Sequence, residues 1–164
     1  MNIVNIIFGR LFPLPFVLGG ALMTKIGVEE LQTADSSKNW PLATGLIKHS
    51  EVVYQKNDDS ESGTYKAVVL YEYTVSGNKF SNDLVAYGEN GSCDISHQNS
   101  IVNRYREGEE VNVYYSPQDP QESVLEPGII GQTWILPGAG FFFVCFGALM
   151  LYYVPRIIKK PAIE

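Results

Sequence analysis

The sequence predicts a small, mainly β extracytoplasmic domain inserted between two transmembrane α-helices, and three observations lead to this fold class. The end segments 1–27 and 134–164 contain long uncharged apolar runs. They carry five Lys/Arg and one Glu, whereas residues 28–133 carry seven Lys/Arg and 17 Asp/Glu. Seven of the eight Phe lie in the end segments and eight of the ten Tyr in the middle. The Tyr hydroxyl can stay in contact with water, and Phe has no such group, so this division indicates two apolar arms around a polar domain.

The length, net charge, cysteine count and mean hydropathy of the whole chain do not show this division. They serve mainly to exclude classes of function. The 164 residues allow one domain of ordinary size and exclude a large multidomain enzyme. A net charge of −6 argues against a nucleic-acid partner, since a phosphate-binding surface needs clustered Lys/Arg. Two cysteines are too few for a disulfide-dense scaffold or a multi-cysteine zinc module. The mean hydropathy of −0.03 averages the arms with the polar middle.

The second arm is the clearer membrane span. Thr133 to Val154 contains 22 residues without a charge, enough to cross about 30 Å of hydrocarbon at roughly 1.5 Å per residue. Trp134 marks one boundary, and Tyr152 and Tyr153 mark the other, where amphipathic rings prefer to lie. We therefore predict a C-terminal transmembrane helix over residues 131–155 and a basic cytoplasmic tail over 156–164.

The first arm allows more than one interpretation. Leu11 to Thr24 is a run of only 14 uncharged residues, bounded by Arg10 and Lys25. The helix either runs from about Ile6 to Val28 with Arg10 reaching the interface, or begins near Pro13 after an interfacial segment at residues 1–9. A cleaved signal peptide is the alternative, but no small-x-small cleavage site follows. We predict an uncleaved transmembrane helix over residues 1–28, followed by a helical extension or linker over 29–39.

Charges next to the two arms predict the orientation. Positive residues flank the outer ends of the chain, at Arg10, Arg156, Lys159 and Lys160. Acidic residues flank the middle domain, at Glu29, Glu30, Glu122 and Glu126. By the positive-inside rule both termini are cytoplasmic and residues 29–132 lie across the membrane. Trp40, at the start of the middle domain, is predicted to be a further membrane-interface residue.

Small residues recur in both arms at a helical spacing. Gly20 and Gly27 are seven residues apart, as are Gly140 and Gly147. This spacing places both glycines of a pair on one helix face, where backbones can approach closely. The two helices either pack on each other or pack on a larger partner.

The middle, residues 40–130, predicts an acidic antiparallel sheet or sandwich with one short helix. The predicted strands are Leu46–Gln55, Tyr65–Val75, Lys79–Ala86, Val111–Tyr115 and Ser123–Leu125. A short glycine turn at Ser76-Gly77-Asn78 joins the second and third strands as a hairpin. The helix, Gln98–Arg106, is predicted to be capped by Ser96 and ended by Gly108.

An ordered set of residues in this region carries a family resemblance. The set comprises Trp40-Pro41, Gly45-Leu46-Ile47, Ser50, Tyr71–Val75, Gly77, Tyr105, Gly108, Val111-x-Val113-Tyr114-Tyr115, Pro117, Pro120 and Leu125–Gly128. With the helix–β domain–helix layout, it resembles the domain-of-unknown-function family 3592 over about residues 10–155. The resemblance implies a bacterial membrane protein, and we predict that it lies in the inner membrane. It supplies no agreed activity and no catalytic residues.

Three groups of residues are candidates for chemistry. His49 and Ser50 are neighbours on a strand, so they point to opposite faces and cannot pair directly. Cys93, Asp94 and His97 offer at most three metal ligands, whereas a closed zinc site needs four. Asp58, Asp59 and Glu61 lack the calcium-loop pattern. Cys145 lies within the membrane helix, so Cys93 is predicted to be buried, reactive or paired with another chain. No catalytic or metal site and no cofactor are predicted.

The sequence leaves two functions open. The preferred one is a non-enzymatic accessory or stabilising subunit that binds another integral membrane protein, or a second copy of itself, in the lipid bilayer. The alternative is a self-standing envelope protein with a ligand-binding, immunity or stress-protective role, whose acidic face attracts a cationic ligand.

Overall fold

The computed structural model describes residues 11–56 and 63–158. The described chain forms two compact units. One contains residues up to Glu30 together with those from Thr133 onward, and we call it the helix pair. The other is Leu31–Gln132, which we call the sheet domain.

The first described helix, α1, covers Leu14–Ser36. It begins directly after Pro13 and has Pro15 in its first turn, where a missing N–H costs nothing. Of the two interpretations of the first arm, the observed start agrees with a helix that begins near Pro13, and the interfacial segment at residues 1–9 lies outside the described residues. A 3-10 turn, Ser37–Asn39, follows, and the chain is extended at Trp40, before Pro41.

The last helix, α3, covers Ile135–Ile158 and follows a 3-10 turn at Gly131–Trp134. Among the described residues, one stretch is long and apolar enough to cross a membrane, Gly131–Val154, with a mean hydropathy of 2.0. In α1 the uncharged run within the helix covers only residues 14–24, before Lys25, Glu29 and Glu30. A second span at α1 therefore stays a prediction.

In its described residues, the sheet domain contains the end of α1, one antiparallel five-stranded sheet and one further short helix. The strands are β1 Leu42–Lys56, β2 Gly63–Val75, β3 Asn78–Asn82, β4 Glu110–Tyr115 and β5 Ser123–Val124. Their order in the sheet is β3-β2-β1-β4-β5. Helix α2, Ile95–Arg104, packs against β2 and β1. Of the two predicted arrangements, the described residues form the sheet and not a sandwich.

The β2–β3 hairpin has a two-residue turn, Ser76-Gly77, flanked by the paired residues Val75 and Asn78. Ser76 has φ 52° and Gly77 has φ 84°. Positive φ at both central residues defines the type I′ turn, whose twist matches that of the flanking strands. The predicted hairpin is therefore present.

Several predicted element ends are wrong: β1 begins at Leu42 instead of Leu46, and α2 covers Ile95–Arg104 instead of Gln98–Arg106. Side-chain hydrogen bonds explain the end of β3 and the cap of α2. Strand β3 ends at Asn82 instead of Ala86, because Asn82 Oδ1 accepts from the backbone N–H groups of Asp83 at 2.8 Å and Leu84 at 3.3 Å. This local turn removes the chain from the ladder. Helix α2 is capped by Asp94, whose carboxylate accepts from Ser96 N at 2.9 Å, and not by Ser96.

The main core contains inward-facing residues of the sheet, one residue of α2 and two residues from the segments after β3 and β5. Its most buried members are Ile47, Val69, Tyr71, Tyr73, Val85, Ile101, Val113 and Leu125. Tyr71 is fully buried, and its hydroxyl lies 3.0 Å from Leu84 O and 3.1 Å from both oxygens of Ser123. Burial raises the pKa of Tyr71 above its ordinary range. The hydroxyl therefore stays neutral and links β2 to the segments that contain Leu84 and Ser123.

A smaller core cluster contains Ala34, Trp40, Tyr87 and Val124. The ring of Trp40 meets that of Tyr87 edge-on at 6.3 Å and is only 9% exposed. The prediction that Trp40 lies at a membrane interface is wrong, because a ring buried in the sheet domain cannot contact lipid headgroups.

Candidate functional sites: a glycine contact between two helices and a cavity in the sheet domain

Within the helix pair, α1 and α3 contact each other through backbone. A Cβ atom added at Gly20 would lie 2.7 Å from Gly140 O and 2.8 Å from Val144 N. A Cβ at Gly140 would lie 2.5 Å from Thr24 N. Since real Cβ contacts are not this short, any side chain at these two positions would separate the helices.

The other two glycines make the same kind of contact. A Cβ at Gly27 would lie 2.5 Å from Pro137 Cδ, and one at Gly147 would lie 2.7 Å from Val17 Cγ2. In the structure, all four glycines singled out from the sequence therefore face the opposite helix of the same chain. Neighbouring Gly19 and Gly138 would meet nothing within 4 Å, so the contact is specific to one face of each helix.

Large apolar side chains cover the outside of the helix pair. Phe141 and Phe142 are each 64% exposed. On α1, Leu18, Leu22 and Ile26 are also exposed. The helix pair therefore has small residues inside and large apolar ones outside, the reverse of a water-soluble helical hairpin.

The structure describes some of the residues that the sequence predicts at membrane boundaries, and others lie outside the described ranges. Trp134, Tyr152 and Tyr153 are all more than half exposed, and the Arg156 guanidinium lies 3.5 Å from the ring centre of Tyr152. Their place at an interface stays a prediction. The topology residues Arg10, Lys159 and Lys160 lie outside the described residues.

His49 lies on the surface of β1 between two carboxylates. Its Nε2 is 3.2 Å from Glu51 Oε1, and its Nδ1 is 3.6 Å from Glu107 Oε2. The hydrogen bond to Glu51 is the largest cause that raises the pKa of His49 above its ordinary value. This arrangement stabilises a charged imidazole, and it does not direct His49 toward Ser50.

The two cysteines and the Cys93–His97 segment form no joint site. Cys93 and Cys145 are both exposed, free thiols, so Cys93 is not buried. Asp94 is used as the helix cap, and His97 pairs with Glu89. In the described ranges, no group of three or more His, Cys, Asp or Glu could hold a metal ion. Asp58, Asp59 and Glu61 lie outside those ranges.

A cavity of about 320 Å³ lies in the sheet domain, between α2 and two loop segments. Its apolar lining includes Val85, Ala86, Ile101 and Ile130. Its polar lining includes Glu89, His97, Arg104, Glu126 and Gln132. An apolar surface with a few convergent polar groups is the usual composition of a small-molecule site.

Sequence reasoning missed this cavity, although one signal pointed to it. His97, Ile101 and Arg104 are spaced at i, i+4 and i+7, so they share one face of α2. The segments that supply Glu89 and Glu126 are irregular loops, whose position depends on the tertiary fold. The face of α2 could be predicted from the sequence, whereas the loop segments that form the opposite wall of the cavity could not.

Comparison with known proteins identifies the family. A family model described as "Domain of unknown function (DUF3592)" matches residues 43–130, more than half of the chain. No curated protein and no solved structure matches the chain. The matched range begins in β1 and includes α2 and the cavity lining as far as Ile130, but not Gly131 and Gln132. The chain therefore belongs to the DUF3592 family, in agreement with the resemblance that its sequence carries.

Proposed function

We propose that this protein is a non-enzymatic, membrane-anchored interaction protein, an accessory or stabilising subunit of a larger membrane protein complex. In this proposal α1 and α3 both cross a bacterial inner membrane. The termini are cytoplasmic, the sheet domain lies on the other side, and both units contact the partner.

The outward apolar surface of the helix pair is the observation that carries the proposal. Phe142, Phe146 and Leu149 of α3 are 41–64% exposed, and their area must be covered by lipid or by protein. The glycine faces are already used inside the helix pair, so a partner would bind the larger side chains outside.

Charges in α1 favour a protein partner over lipid alone. Lys25 lies within the predicted span over residues 1–28 and forms an ion pair of 3.6 Å with Glu29, just beyond the end of that span; both side chains are more than 60% exposed. Charged groups at membrane depth are costly in hydrocarbon and usually face protein or water. A partner that covers this part of α1 would lower that cost.

Photo-crosslinking in intact membranes tests the proposal. A photoreactive amino acid is placed at Phe142 or Leu22, on the outside of α3 and α1, and the control is the same variant irradiated after SDS has dispersed the membrane. We expect a discrete adduct with a second protein that SDS abolishes. An adduct of twice the chain mass identifies a homo-oligomer, which is the second form of the proposal. Adducts with lipid alone, at both positions, would contradict it.

A second candidate function is that of a self-standing envelope protein that binds a cationic ligand. Residues 28–133 carry ten more acidic than basic residues, and this charge would attract cations. Such binding should weaken as salt is raised, because screening reduces attraction between exposed charges. Binding that is unchanged at high salt would argue against it.

A further inference from the structure

We infer that the cavity in the sheet domain binds a small ligand with a cationic amine or guanidinium group on an apolar body. The inference rests on the second candidate function and gives it a site. All lining residues belong to the sheet domain, so a failure here leaves the proposal for the helix pair unaffected.

The apolar part of the cavity provides the binding area for the ligand body. Val85, Ala86 and Ile101 belong to the buried core and are at most 5% exposed, yet each also lines the cavity. A volume of about 320 Å³ equals roughly ten water molecules at about 30 Å³ each. This is room for a single aromatic ring or a short alkyl chain.

Glu89 is the more buried of the two carboxylates in the cavity, with a side chain 15% exposed. Both of its oxygens lie 3.2 Å from His97 Nε2, and Oε1 lies 3.3 Å from Gln98 Nε2. Gln98 is itself buried, and its Oε1 accepts from Ala67 N in β2 at 2.7 Å. Glu89 is therefore held in place by groups anchored to the sheet.

Glu126 presents a second carboxylate to the same cavity. Arg104 Nη1 and the Tyr105 hydroxyl both donate to its Oε1, the latter at 2.9 Å. Among the described residues, its Oε2 has no hydrogen-bond partner. Because Arg104 Nη1 and Tyr105 both donate to Oε1, the Oε2 atom of Glu126 is an acceptor that remains for a ligand.

Charge selects a cation over an anion. With His97 neutral, the lining carries two carboxylates, Glu89 and Glu126, against the one guanidinium of Arg104, and the surrounding domain is acidic. An anion would therefore meet a net negative charge, and like charges brought together oppose binding. A positive group with several N–H donors complements carboxylate acceptors such as these. A free amine and the ammonium headgroup of a phosphatidylethanolamine lipid share this chemistry.

Titration of the purified full-length protein in non-ionic detergent tests the charge requirement. The probes share a phenyl ring: 2-phenylethylammonium is the cation, 2-phenylethanol the neutral form, and 3-phenylpropionate the anion. Calorimetry measures affinity, and the methyl NMR signals of Ala86 and Ile101 report where the probe binds. We expect the cation to bind at least tenfold more tightly than the anion and to shift both methyl signals. Equal binding of the two, or no saturable cation binding in the millimolar range, would overturn the inference.

Substitutions locate the site. Glu89→Gln and Glu126→Gln should each weaken binding of the cation about tenfold, whereas Glu110→Gln should not. Glu110 is an exposed β4 residue outside the cavity, so its substitution makes the same change in net charge. Binding unchanged in both cavity variants would exclude this site, and the probe series on the unaltered chain keeps the inference testable if either variant fails to fold.

Nanodiscs separate the two sources of the ammonium group. If the lipid headgroup occupies the cavity, 2-phenylethylammonium binds more weakly in phosphatidylethanolamine nanodiscs than in phosphatidylglycerol nanodiscs. If the natural ligand is a free amine, the affinity is the same in both. Either result supports the inference that the cavity takes an ammonium group. Loss of saturable binding in both would contradict it.

Discussion

In the helix pair, the two backbones touch because four glycines have no side chain, whereas in the sheet domain large rings fill the interior. Beside this contact, the Thr24 hydroxyl donates to Gly20 O of its own helix at 2.8 Å. In the sheet domain, Tyr71 and Tyr73 are buried, and their hydroxyls bind backbone carbonyls of other segments.

The difference reflects what each unit is packed against. A helix already satisfies its own backbone, so two helices need only close approach, which glycine permits. The sheet domain has loops whose carbonyl groups need donors inside the fold, and buried tyrosines supply them. The division of Phe and Tyr along the sequence follows from these two ways of packing.

The largest expected effect comes from Gly140→Leu in the helix pair. The new side chain would overlap Thr24 and the backbone of α1, and overpacking of this kind costs about 3 kcal/mol. Hydrogen exchange of the α1 and α3 amides should become at least tenfold faster, while that of β1–β4 stays unchanged.

Gly138→Leu is the matched control for this prediction, because a Cβ there meets nothing within 4 Å. It adds the same side chain to the same helix and should leave exchange unaltered. If Gly138→Leu and Gly140→Leu act alike, the helices do not pack through the glycine face.

The next largest effect is expected for Tyr71→Phe in the sheet domain. Removal of the hydroxyl leaves Leu84 O and Ser123 O without this donor, which should lower the free energy of unfolding by about 1–2 kcal/mol. Urea unfolding followed by fluorescence of the buried Trp40 measures the loss. Tyr114→Phe is the control, since the hydroxyl of this half-buried residue has no hydrogen bond to the described residues, and an equal loss there would contradict the explanation.

A smaller effect, of opposite sign for two neighbours, is expected at the β2–β3 turn. Gly77→Ala places a Cβ at φ 84° and should destabilise the sheet domain by about 1 kcal/mol. Ser76→Asn should stabilise it by about 0.5 kcal/mol, because Asn tolerates the φ of 52° better than Ser. The same urea unfolding measures both. Changes of the same sign would show that the turn is not type I′ in solution.

The smallest effect concerns the protonation of His49. Its pKa is raised in the folded protein, so the charged imidazole stabilises the fold at pH values below the unfolded pKa. This contribution is lost as the pH rises through the folded pKa. NMR titration should show a lower His49 pKa in Glu51→Gln than in the unaltered protein. Glu72→Gln, on the adjacent strand, serves as the control and should leave it unchanged.

Much of this architecture was predictable because it depends on short-range patterns. The Tyr- and Val-rich run at β2, the Ser76-Gly77 turn and the apolar run of α3 are each complete within a few residues. The seven-residue glycine spacing was readable in the same way. The surface that packs against these glycines could not be predicted, because the spacing selects a helix face and does not say what covers that face.

The remaining features depend on contacts between distant residues. Trp is a residue type that is common at membrane boundaries, yet the ring of Trp40 packs on Tyr87 and Val124. Asn82 ends a strand that Val85 and Ala86 would favour continuing, because its side chain competes for the backbone N–H groups. The cavity needs Glu89 and Glu126, which are 37 positions apart in the sequence and come to the same cavity only in the fold.

Thiol labelling tests the proposed topology most directly. Cys93 is exposed in the sheet domain, and Cys145 lies in the predicted membrane span. In intact spheroplasts, a membrane-impermeant maleimide should label Cys93 and not its Cys93→Ser variant. In the Cys93→Ser background, Lys160→Cys should be labelled only after the membrane is permeabilised. Labelling of Lys160→Cys in intact spheroplasts, with Cys93 protected until permeabilisation, would contradict an external sheet domain anchored by a two-pass helix pair.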